Sequence, residues 1–262
     1  RRELDHPAVS ATMDHFKRLC VGSDGDRPEM AYSDSGNRSA GRTDYCLLLL
    51  HGLLDHRGTW SLLLPHFDER FRCIAPDLIG CGYSSKPTLA DMPDRRRYSL
   101  EMQATYLREF VRQLGLEEII LVGHSLGGGL ALMTACNEWP DGPRIRGLVL
   151  IAAGPGFRKA EARKQWNASV RDSAARMDMA PGVEELSMHV DSTVIDRLTE
   201  ITAPTLVLLG ERDKRFAAAA GLFGRDLNVH DTVVVPDQGH MVHLKAADRC
   251  AAAIRSFVAG IS

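Results

Sequence analysis

EEIILVGHSLGGGLALMTACN, residues 117–137, changes pattern abruptly in its middle. The apolar run 119–122 predicts a buried strand. It leads directly into Gly123-His124-Ser125-Leu126-Gly127, and a small-residue helical pattern follows over 128–136. Strand, G-x-S-x-G and helix in that order form the context of a nucleophile elbow. The spacing has a physical reason. Ser125 must occupy a turn so tight that its backbone is strained and its hydroxyl stands above the sheet. Gly123 and Gly127 keep side chains away from the point where strand and helix nearly touch. The helix also aims its N-terminal partial charge at Ser125, where negative charge would develop.

Working outward, strand and helix patterns alternate. Residues 15–21 and 29–33 suggest two short strands across the Gly-rich turn 22–26, after a polar arm or short helix over 1–14. A loop follows over 34–44. The continuous apolar run 45–50 suits a strand covered on both faces, hence a parallel sheet. His51-Gly52-Leu53-Leu54 follows it, and a helix is expected over 59–67. Strand 71–75 ends in the turn Pro76-Asp77-Leu78-Ile79-Gly80-Cys81-Gly82-Tyr83-Ser84. Arg95, Arg96 and Arg97 in the polar loop 86–98 form a solvated charge run. Leu100, Tyr106, Leu107, Phe110, Val111 and Leu114 recur at helical spacing before Gly115. After strand 145–153 the alternation breaks. Residues 157–198 hold no strong strand, and Trp166, Val170, Ala174 and Met177 share one helical face, with Met179 and Met188 beyond. A helical lid over 155–198 is expected, inserted between core segments 1–154 and 199–262. Strand 205–209, helix 216–225, strand 232–235 and helix 242–258 complete the pattern of a mainly parallel sheet with helices on both faces.

At 262 residues the chain can bury one large α/β core. A net charge of −2 offers no electrostatic footprint for nucleic acid, and no apolar run is long enough to span a membrane. Six cysteines lie scattered without a C-x-x-C pair, and residues 1–7 form no apolar signal segment. Reduced thiols and a cytoplasmic location are the expectation. No metal-ligand cluster or Walker-type phosphate loop is legible, so no metal and no cofactor is expected, and the partner is a small-molecule substrate.

A serine hydroxyl needs a base within hydrogen-bond reach, and the base needs an orienting acid. Both should stand at the C-terminal ends of strands. His189, His230, His240 and His243 follow Ser125, and only His240 directly follows a strand and a glycine. His230 precedes its strand, and His243 lies a helical turn past His240. Asp213, just after strand 205–209, is the preferred acid, with Glu211 and Asp237 as rivals. The oxyanion donors expected are the backbone N–H groups of Leu126 and Leu53. His51 and Asp77 suit structural hydrogen-bonding roles better than catalysis. Leu54, Trp166 and Met241 are candidate substrate contacts; a methionine stripe is more often packing than ligand contact.

His51-Gly52, the 76–84 turn, Gly123-His124-Ser125-Leu126-Gly127-Gly128, Gly210-Glu211-Arg212-Asp213 and Gly239-His240 occur in one order. In these motifs the chain resembles the α/β-hydrolase fold family over about residues 28–260. The stretch 51–58 is similar to the oxyanion loops of monoglyceride lipases and serine-hydrolase-like proteins. The resemblance implies a mostly parallel eight-stranded sheet with a short lid and an esterase-like serine hydrolase using Ser125, His240 and Asp213. Two alternatives stay open: a carbon–carbon bond hydrolase of diketone-type substrates, and a non-turnover receptor of small molecules. Family members with a carboxylate nucleophile are set aside because position 125 is Ser.

Overall fold

The five residues of Cys46–Leu50 are all buried, so this strand is covered on both faces. Leu47 and Leu49 point into one apolar cluster, and Leu48 and Leu50 into another, as the two-residue period of a strand requires. Each fully buried leucine contributes about 1.5–3 kcal/mol relative to exposure. The sheet is therefore the middle layer of three. A computed structural model describes residues 16–22, 27–36, 45–67, 71–88, 98–137, 139 and 142–261.

Eight strands form one sheet: β1 (Lys17–Cys20), β2 (Glu29–Asp34), β3 (Cys46–Leu50), β4 (Arg72–Pro76), β5 (Glu118–His124), β6 (Arg144–Ile151), β7 (Thr205–Gly210) and β8 (Val229–Val235). Their order is β1-β2-β4-β3-β5-β6-β7-β8. The β1–β2 and β2–β4 pairs are antiparallel, and every other pair is parallel. β5 lies centrally between β3 and β6, which aligns its end with theirs.

The helices are α1 (Leu100–Gln113), α2 (Leu126–Cys136), α3 (Ala160–Ala174), α4 (Thr193–Asp196), α5 (Lys214–Asp226), α6 (Val242–Lys245) and α7 (Ala247–Gly260). α1 begins at Ser99, whose hydroxyl accepts the Met102 N–H at 3.2 Å, and ends at Gly115 with φ 60°. Phe110 of α1 and Leu130 of α2 pack on one face of the sheet, while Ile254 and Phe257 of α7 pack on the other.

Three sequence expectations need correction. The helix expected over 59–67 is two 3₁₀ turns, Arg57–Trp60 and Leu64–His66. Pro65 lacks an N–H and its ring clashes with the preceding helical turn, so a continuous α-helix cannot pass it. The helix expected over 242–258 is divided between α6 and α7 at Ala246, whose φ of −141° is not helical. His230 lies within β8 rather than before it. Residues 155–198 form α3, the 3₁₀ turn Val183–Ser187 and α4, and α3 buries no residue fully. The arm over 1–14, most of the 22–26 turn, most of the loop at 34–44 and Arg95 to Arg97 lie outside the described residues. No helix among the described residues is long and apolar enough to cross a membrane.

Candidate active site

β5 delivers Ser125 to the C-terminal rim of the sheet. Ser125 has φ 52° and ψ −114°, a region that non-glycine residues occupy only under constraint. The turn is clamped from both sides. Its N–H donates to the Ile151 carbonyl at 2.9 Å, and its carbonyl accepts the N–H groups of Gly128 and Gly129 at 3.0 and 3.2 Å. A Cβ at Gly123 would strike the Gly127 backbone, and one at Gly127 would strike the Leu50 carbonyl. Strand, elbow and helix therefore fit only with glycine at both positions. α2 starts at Leu126, so its N-terminal N–H groups face the elbow.

β7 and β8 end at the same rim. Asp213, 6% exposed, stands where the chain leaves β7 and enters α5. Its Oδ2 lies 2.8 Å from His240 Nδ1. An ionised carboxylate only accepts, so Nδ1 carries a proton, and in the neutral ring Nε2 keeps a lone pair. Phe216 stacks on the His240 ring at 5.2 Å and 18°, and the His124 Nε2–H donates to the His240 carbonyl at 3.1 Å. The imidazole is thus held by its edge, its face and its backbone. The two rival acids are engaged elsewhere. Glu211 accepts the Asp237 N–H at 3.0 Å, and Asp237 pairs with Arg212 at 2.5 Å.

The loop after β3 lies directly against the elbow. A Cβ on Gly52 would come 3.5 Å from Ser125 Cβ. That proximity brings Leu53 beside the serine. His51 shapes the loop: its Nε2 accepts the Leu78 N–H at 3.0 Å, and its Nδ1–H donates to the Gly52 carbonyl at 2.7 Å. Burial pushes its pKa down, keeping the ring neutral for both bonds. Asp77 is also structural. It is fully buried, takes 2.6 Å bonds from the Arg57 backbone N–H and Nη1, and takes a 2.8 Å bond from the Tyr83 N–H.

A cavity of about 1020 Å³ opens here. Ser125, His240, Leu53, Leu54, Trp166 and Met241 line it together. Leu126 sits at the first position of α2, and Asp213 lies behind His240. Trp166 is fixed by a 2.7 Å bond from its Nε1–H to the Ser187 carbonyl. Met177 and Met179, read from sequence as a packing stripe, also reach the cavity wall. Sequence reasoning missed Phe216 and Arg215. The signal available was their place in the first turn of a helix that starts immediately after Asp213.

The model of the alpha/beta hydrolase fold family matches residues 45–194, more than half of the chain. This chain belongs to that family. Uncharacterized proteins of Mycobacterium tuberculosis and Mycobacterium bovis are 38% identical to this α/β-hydrolase-fold chain over 108 residues, 41% of this chain and 29% of theirs. The match thus spans less than a third of those relatives' length. Haloalkane dehalogenase 2 of Mycobacterium tuberculosis is 26% identical over 287 residues, covering 88% of this chain and 92% of that protein. Among solved structures, a thermophilic esterase from Thermogutta terrifontis superposes with TM-score 0.73 at 24% identity, covering 94% of this chain and 99% of that one.

Proposed function

We propose that this α/β hydrolase is a serine hydrolase that cleaves carboxylic esters carrying small or medium apolar groups. The observation that carries the reading is the 2.8 Å Asp213–His240 contact on a ring that shares one cavity with the strained Ser125. In this reading Ser125 Oγ attacks the ester carbonyl and its proton passes to His240 Nε2. Asp213 holds the reactive tautomer and stabilises the imidazolium without taking the proton. The N–H groups of Leu53 and Leu126 bind the oxyanion. Collapse breaks the C–O bond, and the alkoxide leaves with the proton from His240. Water, deprotonated by the same nitrogen, then releases the acid and restores Ser125. The apolar wall of Leu53, Leu54, Leu62, Val170 and Met241 suits an acyl or alkyl group. We propose residues 155–198 as the lid, since Trp166 and Met177 reach the cavity from that segment.

A second reading rests on Arg215. It lines the same cavity, with its guanidinium 5.6 Å from the Trp166 ring centroid. A cation there favours substrates bearing a carboxylate, as a diketone-type acid cleaved at a carbon–carbon bond would. Turnover of short and long p-nitrophenyl esters beside a meta-cleavage diketone acid separates the two readings. Fluorophosphonate labelling that is lost in Ser125→Ala is expected. Absence of both labelling and turnover in the wild-type protein would refute the serine-hydrolase reading.

A further inference from the structure

Beside the cavity, three ligand-type side chains converge from remote parts of the chain. Asp55 comes from the loop after β3, His124 is the last residue of β5, and His243 belongs to α6. One donor atom of each lies within 4.8 Å of the others. The two imidazole centroids are 4.1 Å apart, with 40° between the rings.

Both histidines are buried, at 2% and 0% exposure. Each uses Nε2 and leaves Nδ1 without a hydrogen-bond partner. An orphaned buried polar atom costs about 1–3 kcal/mol, so two on rings whose centroids lie 4.1 Å apart call for a partner. The His124 tautomer follows from its bond to the His240 carbonyl at 3.1 Å. A carbonyl only accepts, so Nε2 carries the proton and Nδ1 is a bare lone pair. His243 Nε2 meets Thr59 Oγ1 at 2.8 Å. When that hydroxyl accepts, His243 Nδ1 is a lone pair as well. Burial, with neighbouring histidines adding to it, lowers the pKa of His124 well below the ordinary range and that of His243 to about 3. Neutral imidazole is the form that binds metal.

We propose that Asp55, His124 and His243 form a binding site for a divalent transition metal of the zinc class. Two imidazole nitrogens and one carboxylate oxygen are the donor set such ions take. Nδ1 of each histidine is the ligand atom, and the second nitrogen is already oriented by the His240 carbonyl or Thr59 Oγ1, as ligating histidines require. Asp55 and His124 line the cavity, which gives the ion a route in and leaves water a fourth position. Zinc–ligand distances of roughly 2.0–2.2 Å need the three donors to draw together, and half-buried Asp55 on its loop can supply that movement. The ion would tie the loops carrying Leu53, Ser125 and His240 to one another.

The test uses the full chain after chelator dialysis and does not depend on hydrolytic activity. Zn²⁺ titration by calorimetry, and Co²⁺ titration read by visible d–d absorption, are expected to give one ion per chain with Kd below roughly 10 μM. The thermal midpoint is expected to rise with saturation. Asp55→Asn and His243→Gln are each expected to weaken binding by about 10-fold or more. If His243→Gln fails to fold, the half-buried Asp55→Asn decides. Absence of saturable uptake would overturn the proposal. So would uptake unchanged in Asp55→Asn, or a crystal grown with Zn²⁺ in which water alone bridges the two Nδ1 atoms.

Discussion

Asp77→Ala is expected to destabilise the fold severely. Asp77 is fully buried and its Oδ2 pairs with Arg57 Nη1, on a side chain 7% exposed. Removing the carboxylate leaves a largely buried guanidinium, with Ser33 Oγ at 3.2 Å as a remaining partner. Breaking one side of a buried pair costs about 3–5 kcal/mol. The Arg57 and Tyr83 backbone N–H groups also lose their acceptor, which places the expectation at the upper end, about 5 kcal/mol. The Phe16 and Tyr83 rings lie 4.6 and 5.0 Å from the guanidinium and soften the loss without replacing it. For a chain of this length, about 5 kcal/mol corresponds to a fall in Tm of roughly 10–20 °C. Urea and thermal unfolding measure it. Arg57→Met combined with Asp77→Leu removes both charges and is expected to recover more than half of the loss. A loss under about 1 kcal/mol in Asp77→Ala would refute the reasoning, as would a double variant no more stable than the single one. The same turn carries Leu78, whose N–H holds His51, so the single variant is also expected to loosen the loop bearing Leu53.

Asp213→Asn is expected to lower kcat by about 10⁴-fold with little change in fold, because the amide favours the tautomer with its proton on Nε2; steady-state ester hydrolysis beside circular dichroism checks both halves. Burial, together with the Arg163 cation, lowers His189 to about 4. The folded ring stays neutral between that value and its unfolded pKa of about 6.5, while the unfolded ring takes up a proton. Stability is therefore expected to fall as pH drops through this window, by at most about 1.4 kcal/mol per pH unit from this group. Urea midpoints at several pH values should show a shallower slope in His189→Gln, and an unchanged slope would remove His189 from the account.

Much of the sheet was legible because a strand buried on both faces writes itself as an uninterrupted apolar run, as β3 and β7 do. The candidate serine and acid were legible because each stands just past such a run, whereas the base follows the largely exposed β8 and was read from the Gly239-His240 pair after a Val-rich stretch. The interrupted helices were less so. Pro65 carried a warning that helical spacing around it obscured, whereas Ala246 is an excellent helix former, and only the packing of α6 and α7 sets its non-helical backbone. Arg57 had no burial signal, since its partner lies on β4's far turn. The convergence of Asp55, His124 and His243 depends on strand order, and nothing local in three separate stretches announces it.

β8 closes the sheet at its outer edge, and the loop that follows it carries His240. During synthesis the alcohol of residue 125 emerges long before this imidazole, so a half-made chain has nothing to activate it. Chemical competence in the proposed reading therefore arrives only with the last strand to be synthesised, and an incomplete molecule is silent instead of indiscriminately reactive. Peeling that one border strand would switch off reactivity while most of the interior stayed intact.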